Sequence, residues 1–410
     1  MMRRLTKTIS MIIPAGIALT MATVLPLPSI AHSAEATGQT AGSTFAFAET
    51  QLANTADRLS STTYPVRTGT DGTWVTGGAG NWTSGFFPGA LWKMYERTKD
   101  PAWKLRAEKW QAGIEAQKTV TTTHDIGFQI FNSFGQDFQL TGDPAAKQVV
   151  LTAAGSLAKR YNPTVGSFRS WGAISDTSNY EVIADNMMNI EMMFWSAANC
   201  GDPAWRTMAT QHTLNTVRDH LRSDGGSWHV VNYDQQTGNV ISKYTHQGYS
   251  DSSTWSRGQA WLIYGFSMAY RYTHDSRFLK AARTAADYYV RNLPADKVPY
   301  WDFDVASLTG QPRDSSAAAV AAAGLVELAG FETDTGRALG YRNVARDTIA
   351  SLSSPAYLAK GTPNQAILLH GTQNKPANSY DTGLIFGDYY FIEALQRYER
   401  ATAGANLPVV

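Results

Sequence analysis

The chain has 410 residues, 43% hydrophobic and 11% aromatic, with 35 basic against 34 acidic side chains. That composition supplies a large core and no basic footprint for nucleic acid, so an anionic ligand must be read by local residues, not by a broad positive field. The lone cysteine, Cys200, excludes an internal disulfide.

Arg3, Arg4 and Lys7 precede an apolar stretch from Ile9 to Leu27, and the small-residue sites Ala31-His32-Ser33 and Ala34-Glu35-Ala36 follow. This is the layout of a secretory signal ending at 33 or 36. Pro14, Pro26 and Pro28 argue against a permanent membrane span. Removing residues 1–33 takes away three basic and no acidic groups, moving the formal charge from +1 to −2. Residues 34–45 are rich in Ala, Thr, Gly and Ser and read as a flexible lead-in. A single domain over 46–402, secreted and free of the membrane, is the expectation.

Punctuation recurs beyond that point. Lys99-Asp100-Pro101, Gly142-Asp143-Pro144, Gly201-Asp202-Pro203, His274-Asp275-Ser276 and Thr333-Asp334-Thr335 each end one helical run and cap the next. Helices are predicted near 46–60, 85–98, 102–118, 126–141, 144–160, 187–199, 203–221, 255–273, 276–293, 313–330, 336–354 and 383–401. The runs alternate between aromatic-rich or Ala-rich segments and segments with outward charges, such as Trp103–Gln117. Six such hairpins predict an all-α fold, an (α/α)6 barrel with an apolar inner ring. The polar insertions 222–254 and 294–312 are expected to gather at one face, with a short hairpin around 227–233.

No HExxH, paired CxxC, P-loop, GxGxxG after a strand or GxSxG is present, so neither metal nor cofactor is expected. Carboxylates are then the candidate acid–base groups. Asp125 sits where a polar run meets a helix, beside His124. Asp185 precedes Asn186-Met187-Met188-Asn189. Either position also suits an ordinary helix cap. Apolar company favours a neutral Asp185, whereas a helix N-terminus favours its charged form.

The segment His246–Tyr264 sets Trp255 and Trp261 around Arg257 among glutamines and hydroxyls. Indole faces suit a sugar ring, and a guanidinium suits a carboxylate through paired N–H donors. Trp82 and Trp171 add stacking platforms, and His229 and His246 lie in the polar insertions.

The segments Trp82-Thr83-Ser84-Gly85-Phe86, Thr123-His124-Asp125-Ile126-Gly127-Phe128, Asp185–Asn189, His246–Trp261, Arg313–Ala317 and Gly387-Asp388-Tyr389-Tyr390 together resemble the unsaturated glucuronyl hydrolases of glycoside hydrolase family 88. The resemblance implies a cofactor-free (α/α)6 barrel, monomeric or weakly dimeric, acting on oligosaccharides that carry a 4,5-unsaturated uronate at the non-reducing end. It implies Asp185 as general acid/base and Asp125 as the second essential aspartate. It also implies that His124, His229, Gln247, Trp255, Arg257 and Trp261 line the uronate subsite, with Trp82 and Trp171 as its walls. Two alternatives stay open: a hydrolase of unsaturated galacturonyl-rhamnose on the same barrel, and a non-catalytic sugar-binding relative.

Overall fold

The computed structural model describes residues 30–404, with side chains from 42 onward. The signal segment expected over 1–33 lies, up to residue 29, outside the described residues. The described fold is helical, with short antiparallel strands between helices. Helix α1 (Ile30–Arg58) runs through the stretch expected to be a lead-in. At the end of that stretch the helix is docked on the fold: Thr44 and Phe45 are buried, and the Arg97 guanidinium lies 3.5 Å from the Phe45 ring centre.

The other elements follow the recurring punctuation. Helices α2 (Phe86–Thr98) and α3 (Pro101–Ala112) form one hairpin. A π-helical stretch, Gly127–Gly135, continues into α4 (Gln136–Thr141), and α5 (Pro144–Ala158) returns. Next come α6 (Asn186–Asn189) with α7 (Glu191–Ala198), then α8 (Ala204–Asp219). Helices α9 (Ser256–Thr273) and α10 (Ser276–Asn292) precede α11 (Ser315–Phe331), α12 (Thr335–Leu352) and α13 (Ile385–Thr402). Among the described residues, counting the π stretch with α4, α6 with α7, and the 3-10 turn Glu115–Thr119 with α3, gives the expected twelve helical bodies.

The turns between hairpin arms share one construction. Lys99, Gly142 and His274 adopt left-handed backbone, and the aspartate that follows each accepts a free N–H from the first turn of the next helix. Asp202 and Asp334 cap α8 and α12 in the same way. Cys200 also adopts left-handed backbone and is exposed.

Inner and outer helices separate by composition. In α11 all residues from Ser315 to Ala329 are buried, whereas α10 buries one face through Phe278, Leu279, Ala282, Ala286 and Tyr289. The inner bodies touch in a closed ring: α2, the π stretch, α6/α7, α9, α11, α13 and back to α2. The outer helices pack behind them, and the main core fills the space between the rings.

Close approach in the inner ring depends on small residues. A Cβ at Gly85 would lie 2.2 Å from the Phe128 carbonyl oxygen and 2.3 Å from that of Gln129. Both obstacles are backbone and cannot swing aside. Gly85→Ala is expected to destabilise the fold by about 1–3 kcal/mol or more, read by denaturant unfolding. A loss below half a kcal/mol would show that α2 and the π stretch are not locked together here.

Deeper in the ring lies a buried ionic cluster that no local pattern announces. Arg397 pairs with Glu327 at 2.7 Å, Lys93 with Glu393 at 3.2 Å, and Arg271 bridges Glu191 and Glu327. Strands β1 (Tyr64–Thr68) with β2 (Trp74–Gly77), and β3 (Tyr161–Asn162) with β4 (Ser167–Phe168), form two-stranded antiparallel ladders. The loops that precede the inner helices gather at one face, where β5 (Glu181–Ile183), β6 (Val230–Tyr233) and β7 (Val240–Tyr244) form an antiparallel sheet. The segment 227–233, expected to make a short hairpin by itself, instead supplies one strand, β6, paired with β7 on one side and β5 on the other.

Candidate active site

Strand β5 delivers Asp185. Ile183 pairs with Val230, and the Ala184 N–H donates to the His229 carbonyl at 3.0 Å, so Asp185 and His229 emerge side by side. His229 Nε2 lies 3.6 Å from Asp185 Oδ2. The His246 N–H points at His229 Nδ1 from 3.3 Å, which makes Nδ1 the acceptor and leaves the ring proton on Nε2, facing the carboxyl. The Trp255 ring stacks against this imidazole with centres 4.4 Å apart.

Asp185 does not cap its helix: its backbone is already helical and its side chain accepts no N–H there. Burial pushes its carboxyl up, as its apolar neighbours suggest, but His229, then His124 and Arg257, pull harder. The ligand-free carboxyl is therefore held below its ordinary value, which settles the two opposed influences left open by the sequence, through the histidines and not through a helix cap.

Asp125 is no cap either. It accepts the Thr123 hydroxyl at 2.7 Å, and His124 Nε2 lies 3.4 Å from its Oδ1. The π stretch begins two residues later. Burial holds the His124 imidazole below its usual value, although Asp125 and Asp185 pull it upward.

Both aspartates open into one cavity of about 220 Å³. Trp82 and Trp171 wall it, His124, Gln247 and Arg257 reach its surface, and Ile183 lies at its floor beside Asp185. Trp82 is braced by Phe86, Phe128 and Phe386. Trp171 meets the edge of His246 at 4.7 Å. Gln373 and Asn374 complete the lining. Gln247 Nε2 donates to the Gln373 carbonyl at 2.8 Å, and Arg257 donates to the same carbonyl.

Arg257, expected to offer paired donors to a carboxylate, is partly engaged by the protein itself. It is buried, pairs with Asp314 at 2.8 Å, and donates to the carbonyls of Thr372 and Gln373. It also sits against the faces of Trp255 and Phe386. Three of its five N–H donors are engaged in this way, and it brings the cavity its positive charge together with a fixed 372–374 segment.

Trp255 and Trp261 are likewise not sugar platforms. Both are buried and neither reaches the cavity. Trp261 packs among Phe128 and Tyr390 in the inner ring. Trp255 supports His229 on one side and Arg257 on the other. Their polar neighbours had other partners: Gln259, for example, donates to the carbonyls of Gly225 and Ala285. His229 stands behind Asp185 and not on the cavity wall. Gln373 and Asn374 lie in a polar stretch whose composition marks a loop but not its destination. Ile183 carried no signal as a site residue.

Among the described residues no group of three or more His, Cys, Asp or Glu side chains is gathered for a metal ion. The arrangement suits acid–base chemistry on one sugar ring held between indoles, with two carboxylates at its edge.

Known proteins resemble this chain over most of its length. The unsaturated glucuronyl hydrolase of Formosa agariphila is 42% identical over 322 residues, 77% of this chain and 80% of that protein. A crystal structure of an unsaturated glucuronyl hydrolase specific for heparin superposes with a TM-score of 0.85 at 36% identity, covering 89% of this chain and 98% of that one. The unsaturated glucuronyl hydrolase of Bacillus sp. GL1 superposes with a TM-score of 0.84 at 32% identity, over 88% and 97% of the two chains. Residues 67–405 match the family described as Glycosyl Hydrolase Family 88. With its closed double ring of helices and its paired carboxylates, the chain belongs to that family and is a glycosidase.

Proposed function

We propose that this glycosidase removes a 4,5-unsaturated glucuronic acid from the non-reducing end of lyase-generated oligosaccharides by hydrating the C4=C5 enol ether. The observation that carries this reading is the convergence of Asp185 and Asp125 on one small cavity walled by Trp82 and Trp171. The N-terminal ends of inner helices and the Arg257 charge face the same space, which favours an anionic ring.

In this mechanism Asp185 gives its proton to C4. The π electrons form the new C–H bond, and the ring oxygen stabilises the cation left at C5. Water adds at C5 and returns a proton to the Asp185 carboxylate. The hemiketal opens and rearranges, releasing the neighbouring sugar. Asp125, oriented by Thr123 and His124, holds the sugar hydroxyls.

A carboxyl held low in the empty site must gain its proton on binding. The substrate's own carboxylate supplies the reason, because a like charge at close range disfavours a second ionised group. The alkaline limb of kcat, which reports the complex, should therefore lie at higher pH than that of kcat/KM, which reports the free enzyme. Coincident limbs would contradict this role for the substrate charge.

The reading is tested by adding purified protein to lyase digests of chondroitin, hyaluronan, heparin, gellan, xanthan and ulvan and following the ultraviolet absorbance of the conjugated double bond. Loss of absorbance on at least one digest is expected. Unchanged absorbance on all of them removes the proposal, and activity on pectin-lyase products alone redirects it to the galacturonyl-rhamnose branch. Binding by calorimetry without turnover supports a non-catalytic relative. We also propose export, on the layout of residues 1–33. A mature protein in the culture medium beginning at residue 34 or 37 is the expected result, and retention of the full chain in the cytoplasm refutes it.

A further inference from the structure

Asn189, the last residue of α6, is fully buried and lies between the two carboxylate-bearing segments. Its Oδ1 accepts the Phe128 backbone N–H at 2.7 Å. A backbone N–H only donates, so this contact fixes which end of the amide is oxygen. The Nδ2 end then faces His124 Nδ1 at 3.3 Å and the Asp185 carbonyl at 3.3 Å. An amide NH2 also only donates, so His124 Nδ1 must present a lone pair. In a neutral imidazole the proton then sits on Nε2, the atom 3.4 Å from Asp125.

We propose that Asn189 is a positioning residue for the reaction proposed above, setting the His124 tautomer that directs an N–H at Asp125 while tying that segment to the Asp185 turn. Gly127 makes the approach possible, since a Cβ there would lie 2.6 Å from the Asn189 Cα. An imidazolium at His124 would set an Nδ1–H against the amide NH2, so Asn189 also opposes protonation of that ring. The other charged or titratable groups facing His124 are Asp125, Asp185, Arg160 and His212. None of these four holds Nδ1 in the structure.

The test begins with histidine-selective nitrogen NMR on the full, ligand-free chain, with the His124 signals assigned from their absence in His124→Asn. The neutral Nε2–H tautomer is expected, and an Nδ1–H tautomer or an imidazolium at neutral pH overturns the proposal. That arm uses no substrate, so it stands apart from the identity of the sugar. In the second arm, Asn189→Asp keeps an acceptor for Phe128 but replaces the donor facing His124 with another acceptor. His124 should then carry a proton on Nδ1, kcat should fall about 10- to 100-fold with a much smaller change in KM, and the pH profile of kcat should move. A folded N189D protein with unchanged tautomer, kcat and pH profile overturns the proposal. If N189D does not fold, the wild-type spectrum decides.

Discussion

Asp185→Asn is expected to lower kcat by about 10²- to 10⁴-fold, the range for loss of a general acid/base, while binding of an unsaturated disaccharide survives. The substitution keeps the size and shape of the side chain, so the cavity between Trp82 and Trp171 persists. It removes the only proton that the mechanism delivers to C4. It also removes a buried negative charge that faces the rings of His229 and His124. Calorimetry on the variant should therefore still show binding, with KM or Kd changed far less than kcat. Normal turnover would refute the assignment of Asp185. Loss of binding along with turnover would mean that the carboxylate holds the sugar and does not protonate it.

Asp314→Ala should have the largest effect on stability, about 3–5 kcal/mol, the cost of leaving a buried charge without its partner. Asp314 is a hub. One carboxylate oxygen accepts the Ser316 and Ala317 N–H groups that start α11, together with the Thr372 N–H. The other pairs with Arg257, and both members are fully buried. Truncation strands the guanidinium, uncaps an inner helix and frees the segment carrying Gln373 and Asn374. Denaturant unfolding measures the first consequence, and a rise in KM the last. Asp314→Asn, which keeps acceptors for the backbone groups, should fall between wild type and Ala. A change below 1 kcal/mol in D314A would mean that Arg257 finds compensation elsewhere.

The fold was legible because its signals are local and repeat. Each Asp after a left-handed turn residue makes the cap that its sequence context predicts, and the spacing of Asp100, Asp143, Asp202, Asp275 and Asp334 marks the hairpins. Asp125 and Asp185, which also stand where helices begin but do not cap them, are the ones in the cavity. Sequence could not separate these classes, because capping depends on backbone angles that only the folded chain fixes.

Aromatic-with-polar composition found the right segment but the wrong atoms. Trp82 and Trp171 line the cavity, whereas Trp255 and Trp261 are buried behind it, because the side an indole takes is fixed by packing that local composition does not encode. The charge state of Asp185 depends on His229, 44 positions away and brought alongside by the pairing of β5 with β6, which no local window contains. Gln373 and Asn374 are held at the cavity by residues far away in the chain, Gln247 and Arg257 on the Gln373 carbonyl and Asp314 on the Thr372 N–H.

The account turns on where the alkene lies. A crystal structure of the Asp185→Asn variant with an unsaturated disaccharide should place the side chain at position 185 about 3–3.5 Å from C4, with the uronate ring between Trp82 and Trp171. A ring whose C4 lies well out of that reach, with a different acid facing the double bond, would contradict it.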